Sequence, residues 1–263
     1  MATVDNDRII AFRASDGNTV RLEYRESLPS AAALAKEYAS AGYPDRYAVF
    51  TECQLEESAT GTSISDPNGE EGIYLSCILR PSIFPSQAGL LGPMSAVAFT
   101  SALEEHTDRR LGIGWVSDIY CDGKRIGGCW LEGRLDSFTS YEYLIVNFAI
   151  KTSKKNFPPK LSDMVTKVFG EDNISIGMII AKNIINKFFT LYRDLKNPGK
   201  YMDLYSSRFA LTGKKVKYIE DGSKTGVRVV GVDKNDCALI VEAKSGQEFM
   251  ITSPSSIIIP NKI

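Results

Sequence analysis

The sequence predicts an α+β protein that ends in a small β-barrel. Two observations lead there. Through about residue 210, strand-like apolar runs are interspersed with long helix-forming runs. Beyond that point only short strands remain, separated by Gly, Asp, Asn and Lys turns about every ten residues, as small barrels are built.

The elements follow in order. Arg8–Arg13 and Asn18–Tyr24 read as strands joined by the Ser15-Asp16-Gly17-Asn18 turn. Ser30 stands where an N-cap belongs, before the helix former Ala31-Ala32-Ala33-Leu34-Ala35-Lys36-Glu37-Tyr38, which Gly42 and Pro44 stop. Tyr47–Gln54 is a strand. Leu55–Gly72 is polar and reads as a long loop, a length usually tied to function or disorder. Ile73–Leu79 is a strand, and Gly92–His106 is a helix with Met94, Val97, Ala98 and Leu103 on its apolar side. Gly114–Tyr120 and Arg125–Leu131 are strands around the Asp122-Gly123 turn. Glu142–Ile150 is a strand with the apolar run Leu144-Ile145-Val146. Ile176–Leu195 and Lys200–Ala210 are helices. Lys214–Ile219, Val227–Val232, Ala238–Val241 and Phe249–Ile251 are the short strands of the tail. The expected division is a core of residues 1–210 and a β-barrel domain of residues 211–263.

Composition narrows the function. The 263 residues are ample for a large core with a smaller partner domain. Lys and Arg number 31 against 32 Asp and Glu, so no global basic field draws in nucleic acid. Cys53, Cys77, Cys121, Cys129 and Cys237 are scattered without CxxC spacing, and His106 is the one histidine. That set indicates reduced thiols and argues against a Cys/His metal cluster. Neither a signal-peptide run at Met1–Ile10 nor an apolar stretch of about 18 residues occurs, so a soluble cytoplasmic protein is expected.

Three segments carry a resemblance. Leu28-Pro29-Ser30-Ala31-Ala32 before a helix is similar to a Ser-Thr-Asn motif. Gly114-Trp115-Val116-Ser117-Asp118-Ile119-Tyr120 is similar to a Lys-Trp-Pro-Asn-Asp-hydrophobic-Tyr strand. Gly123-Lys124-Arg125-Ile126-Gly127-Gly128-Cys129-Trp130-Leu131-Glu132 is similar to Lys-Leu-Ala-Gly-Ile-Leu-x-Glu. In order and spacing, these segments resemble the biotin/lipoate protein ligase superfamily, and biotin protein ligases in particular. The resemblance implies a mixed β-sheet flanked by helices, the class II synthetase-like ligase core, with an SH3-like C-terminal barrel. It implies biotin and ATP with Mg as ligands, a biotin carboxyl carrier-type acceptor protein, and a possible homodimer. The family's repressors carry an N-terminal helix-turn-helix domain, whereas this sequence opens on the first core strands; operator binding is not expected.

The family reaction forms biotinyl-AMP and passes the acyl group to a carrier lysine. A carboxylate must approach a polyphosphate, which calls for cations and N–H donors aimed at the phosphate. In the family these come largely from an arginine- and glycine-rich loop after an Ala-x-x-Gln strand end. Here Gln54 is kept, but Leu55–Ser63 has no arginine and carries Glu56 and Glu57. Charge-assisted hydrogen bonds contribute about 1.5–3 kcal/mol each. Their loss points to weakened ATP use, unless Ser58, Thr60, Gly61 and Thr62 bind phosphate through hydroxyls and N–H groups. A solvated loop is the plainer alternative.

Arg125 stands at the position of the family's central lysine. Alternation along a strand turns it toward the pocket and Lys124 away, and its planar fork suits a carboxylate. Asp118 matches the aspartate that orients the acceptor lysine or the adenylate. These two are the catalytic candidates. Ser30, Gln54, Trp115, Ser117, Gly127, Gly128, Asn147, Ala149 and Lys151 are the ligand-binding candidates. Asn147 and Ala149 replace the glycines of the family's Gly-x-Gly-x-Asn strand and should shrink or reshape the pocket. Lys151 replaces the asparagine, as a new cation or a plain strand-end lysine. Trp115 and Gly128 equally suit core packing, and Cys129 and Cys53 read as core cysteines. Three functions stay open: an altered biotin protein ligase, a pseudoenzyme that binds a small acid or a carrier domain, and an ATP-independent acyl transferase with a nucleophilic thiol.

Overall fold

A computed structural model describes residues 8–55, 70–151, 176–259 and 263. An eight-stranded sheet dominates, in the order β1-β2-β3-β4-β8-β7-β6-β5. Its strands are β1 (Arg8–Arg13), β2 (Thr19–Arg25), β3 (Tyr47–Gln54), β4 (Glu70–Leu79), β5 (Gly112–Ile113), β6 (Asp118–Cys121), β7 (Lys124–Leu135) and β8 (Tyr141–Lys151). Among the described strands only β2 and β3 pair in parallel, so the sheet is mixed, as the resemblance implied. Helix α1 (Ala31–Ser40) crosses over from β2 to β3, the long connection that a parallel pair requires.

Helix α1 covers one face of the sheet, with Ala31, Ala35 and Ala39 packed beside Val49, Tyr74, Ile78 and Ile145. A short α2 (Pro85–Ala88), which the sequence reading did not anticipate, precedes α3 (Leu91–Glu104). Helices α3, α4 (Ile176–Tyr192) and α5 (Gly199–Arg208) belong to the other face. Ile73, Leu75, Val146, Phe148 and Ile150 point there and join Phe99, Ile184 and Phe188 in the main core. Period-two alternation thus divides each central strand between two apolar clusters. Alanine on α1 lets that helix lie close to the sheet.

A second antiparallel sheet follows, in the order β12-β11-β10-β9-β13. It comprises β9 (Lys215–Glu220), β10 (Ser223–Val232), β11 (Leu239–Glu242), β12 (Glu248–Ile251) and β13 (Ile257–Ile258). This is the expected C-terminal β unit, with one strand more than the turn pattern indicated. Val216, Val227, Val229, Leu239 and Val241 belong to the same apolar cluster as the main core.

One sequence expectation needs correction. Gly114–Tyr120 is not a continuous strand: β5 ends at Ile113, β6 begins at Asp118, and the Trp115–Val116 peptide is cis. Packing explains the break. A β-carbon on Gly114 would lie 2.6 Å from the Tyr120 ring, and Trp115 turns into the core, 4% exposed. Its Nε1 donates to the Cys237 carbonyl at 2.6 Å, and Tyr205 Oη donates to the Val116 carbonyl at 2.9 Å. The helix and strand ends otherwise differ from expectation by a few residues, the usual uncertainty of such boundaries.

Candidate acid-binding site

On the face that carries α1, the register sets residues of four strands side by side. Asp118 of β6 opposes Gly128 of β7, Gly128 opposes Ala149 of β8, and Ala149 opposes Tyr74 of β4. A parallel row runs Trp130, Asn147, Ser76. Arg125 opposes Tyr120, on the same face as Asp118, because a bulge at Ile119–Tyr120 corrects the register. Lys124 opposes Cys121 and turns the other way.

Helix α1 packs on β3, β4 and β8. Gly128, Trp130 and Ala149 are therefore half-buried, while Asn147, Ser76 and Tyr74 are fully covered. The result is a shallow trough floored by small residues. The small residues have separate reasons. A β-carbon on Gly127 would collide with the Ala149 carbonyl, so that glycine is demanded by close strand approach. One on Gly128 would lie 3.1 Å from the Ser117 carbonyl oxygen and 3.4 Å from Asp118 Oδ1. Gly128 is thus the space beside the acidic side chain.

Arg125 Nε donates to Asp118 Oδ1 at 2.7 Å, with the two side chains 30% and 28% exposed. Burial raises the Asp118 carboxyl above its ordinary range, and the Arg125 charge and hydrogen bond pull it back only in part. Arg125 spends Nε on this bond, which leaves the end-on edge of its fork for a second anion. Ser117 Oγ donates to the Cys129 carbonyl, and Cys129 N donates to the Ser117 carbonyl at 3.0 Å. Ser117 therefore staples the segment before Asp118 to β7.

At the other side of the trough, Ser30 caps α1, its Oγ accepting from Ala33 N at 3.2 Å. Gln54 is buried, and its Oε1 accepts from Ala31 N at 3.3 Å. Both expected head-group ligands thus meet at the α1 N-terminus. Asn147 Oδ1 accepts from Ser76 Oγ at 2.7 Å, and its Nδ2 reaches Glu132 Oε1 at 3.5 Å. Trp130 Nε1 donates to the same Glu132 oxygen at 3.0 Å, and Lys36 Nζ lies 3.7 Å from Glu132 Oε2. Ser76 and Trp130 were not among the expected site residues. The signal for Ser76 was a single small hydroxyl residue in the otherwise apolar and aromatic run Ile73–Leu79.

The site thus gathers Asp118, Arg125, Gly128, Ala149 and Asn147. Trp115 is placed in the core, which accords with the packing alternative. Backbone pairing puts Lys151 opposite Gly72. Ser58, Thr60, Gly61 and Thr62 lie outside the described residues. Among the described residues no three His, Cys, Asp or Glu side chains gather as a metal site. No described helix is long and apolar enough to cross a membrane.

No family model matches the chain. It is 26% identical over 182 residues to the bifunctional ligase/repressor BirA of Bacillus subtilis, over 68% of this chain and 55% of that protein. The BirA of Bacillus spizizenii is 25% identical over 182 residues, with the same shares covered. The chain spans about half the length of these curated relatives. In structure it superposes on the biotin protein ligase of Aquifex aeolicus with a TM-score of 0.63 at 18% identity, over 90% of this chain and 96% of that one. The chain is thus similar, over part of its sequence and in its fold, to biotin protein ligases. The same ligase solved with biotin and ATP gives a TM-score of 0.62 at 19% identity, over 90% and 97% of the two chains. A biotin protein ligase-like protein of unknown function from a Silicibacter species gives 0.61 at 15% identity, over 89% and 94%. At these identities the solved structures speak for the fold alone.

The thiols are set apart from the candidate chemistry. Cys129 is fully buried and its thiol is driven well above the ordinary range by burial. The Cys53 thiol is raised too, by burial first and Glu71 second.

Proposed function

We propose that this chain is a biotin protein ligase-like protein that holds a carboxylic acid in the trough over Gly128 and Ala149. Its reaction is then ATP-dependent activation of that acid and transfer of the acyl group to a lysine of a biotin carboxyl carrier-type protein. The observation that carries the reading is the Asp118–Arg125 pair at 2.7 Å, standing over the trough on the open part of the sheet. The fork edge of Arg125 takes the ligand carboxylate. Asp118 accepts a hydrogen bond from the incoming lysine ammonium and orients it. Ser30 and Gln54 order the α1 end of the site, and Ser117 fixes the approach to Asp118. ATP would bring Mg as its counter-ion. Among the described residues Arg125 is the cation at the trough, and the Asp118 carboxylate neutralises it; this fits a carboxylate better than a triphosphate.

That neutralisation, with the arginine-free stretch Leu55–Ser63, favours a second reading: a non-catalytic binder of a small acid or a carrier domain. Acid-dependent ATP–pyrophosphate exchange with biotin, lipoate and octanoate separates the two. Exchange with any of them supports the ligase. No exchange with all three, together with thermal stabilisation by an acid but not by ATP, supports the binder.

A further inference from the structure

Asn147 is completely buried, yet it stands beside half-buried Ala149 on the face of the trough. Its amide oxygen is fixed by the Ser76 hydroxyl at 2.7 Å, and its Nδ2 stands 3.5 Å from the Glu132 carboxylate, a long contact. Glu132 is in turn held by Trp130 Nε1 and approached by Lys36. These contacts tie side chains of β4, β8 and β7 into one continuous polar ridge. An amide oxygen held by a buried hydroxyl does not swing aside, because leaving that pair unmade costs about 1–3 kcal/mol.

We infer that Asn147 determines specificity at this site by walling off the end of the trough away from Arg125, so that it admits acids with a slim, unbranched acyl chain and turns away those that carry a ring system. The inference rests on the reading of the trough as a carboxylic-acid site. The floor between the two ends is the single pair Gly128 and Ala149, whose neighbours along β7 and β8 on the same face, Trp130 and Asn147, are both large. A slim chain lies flat over a glycine and an alanine. A fused ring needs depth, and the depth next to Ala149 is filled by the Asn147 amide. Asn147 touches no reacting atom; it shapes the space in which the acyl chain ends.

The test is calorimetric titration of the whole chain with hexanoate and with biotin. The wild type is expected to bind hexanoate more tightly than biotin. Asn147→Gly is expected to tighten biotin binding at least about tenfold, since pocket changes of roughly methylene size shift discrimination by about 10–200-fold. Hexanoate affinity should change far less. Asn147→Ala keeps the β-carbon and serves where the glycine weakens β8 too far, with the same direction expected. Ser76→Ala releases one end of the amide and should move biotin binding the same way by a smaller factor. Wild-type binding of biotin as tight as that of either Asn147 variant overturns the specificity role and leaves the acid site standing. Absence of binding by both acids to every folded variant overturns the acid site, and this inference with it.

Discussion

Arg125 and Asp118 meet across the β6–β7 hairpin, Nε to Oδ1 at 2.7 Å, with a bulge between Ile119 and Tyr120 bringing them to one face. A strictly regular ladder would have put Arg125 on the wrong side of the sheet. The pair leaves the far edge of the guanidinium for a ligand, and the first prediction follows. Arg125→Gln should weaken binding of a carboxylic acid by about 10–100-fold, the equivalent of one charge-assisted hydrogen bond. Arg125→Lys should fall between, because it keeps the charge without the fork. Calorimetry with hexanoate reads both. Equal affinity in wild type and Arg125→Gln would place the acid elsewhere.

Asp118 makes that binding depend on pH. Burial raises its carboxyl against the pull of Arg125. A ligand carboxylate at the same guanidinium adds a second negative charge, which favours protonated Asp118 further. Acid affinity should therefore tighten as pH falls from neutrality toward the Asp118 value, until the ligand itself takes up a proton. Stability runs the same way. A folded value above the unfolded one, about 3.9, means that the folded state binds the extra proton. The stabilisation is fully present below the unfolded value and is lost as pH rises through the folded one. Asp118→Asn removes both dependences. A wild-type affinity that is flat between pH 5 and 8 while Asp118→Asn weakens binding would show that the carboxylate is needed in its charged form.

The thiols bear on the acyl-transferase alternative. Cys129 is buried and strongly raised, and Cys53 is raised by burial and by Glu71. A nucleophilic cysteine needs the opposite shift. Alkylation at pH 8 with iodoacetamide, followed by peptide mapping, should find both slower than free cysteine, and Cys129 the slower of the two because it is also buried. Fast labelling of either one would revive a covalent mechanism.

The sequence made these elements legible where local rules govern. Ser30 reads as an N-cap and acts as one, and the alternating and apolar runs of β3, β4 and β8 locate the core. Asp118 and Arg125 were identifiable because a charged pair flanked a turn in a recognisable motif. Long-range packing hid the rest. Nothing local in Gly114–Tyr120 signals a break, since it is the Tyr120 ring, the Cys237 carbonyl and the Tyr205 hydroxyl that bend the segment. Ser76 and Trp130 joined the site through register, which depends on strand order and on the regular pairing of β8 with β4 and β7. Asn147 was expected to fill space, but its fixation by Ser76 and Glu132 belongs to partners 71 and 15 residues away.

A buried cation at the other end of the sheet tests how the α4 face is held. Arg46 takes φ 62° and pairs with Asp16 at 2.7 Å, while its guanidinium lies 4.0 Å from the centre of the Phe189 ring on α4. The Asp16 carboxylate also accepts from Asn18 N at 3.1 Å and from Asn18 Nδ2 at 3.0 Å, so without the arginine it keeps two partners. Arg46→Ala should cost about 1–3 kcal/mol. Arg46→Lys should recover part of that, because it keeps charge but loses the planar stacking surface. Urea unfolding at neutral pH measures both. A loss below about 1 kcal/mol for the alanine variant would mean that water reaches Asp16.

The bend at Gly114–Ser117 couples the C-terminal sheet to the acid site, and that coupling can be separated from simple stability. Tyr205 is fully buried and its hydroxyl donates to the Val116 carbonyl at 2.9 Å; Trp115 donates to the Cys237 carbonyl in the connection between β10 and β11. These two bonds hold the segment that leads into Asp118, whose side chain faces the trough. Tyr205→Phe removes one hydroxyl without changing the ring, so the expected loss of stability is about 1–2 kcal/mol. If the bond also positions Asp118, the pH dependence of acid binding should flatten in Tyr205→Phe under conditions where the variant is fully folded. A stability loss with an unchanged pH profile would assign Tyr205 to the core alone. A flattened profile would show that helix α5 sets the geometry at Asp118.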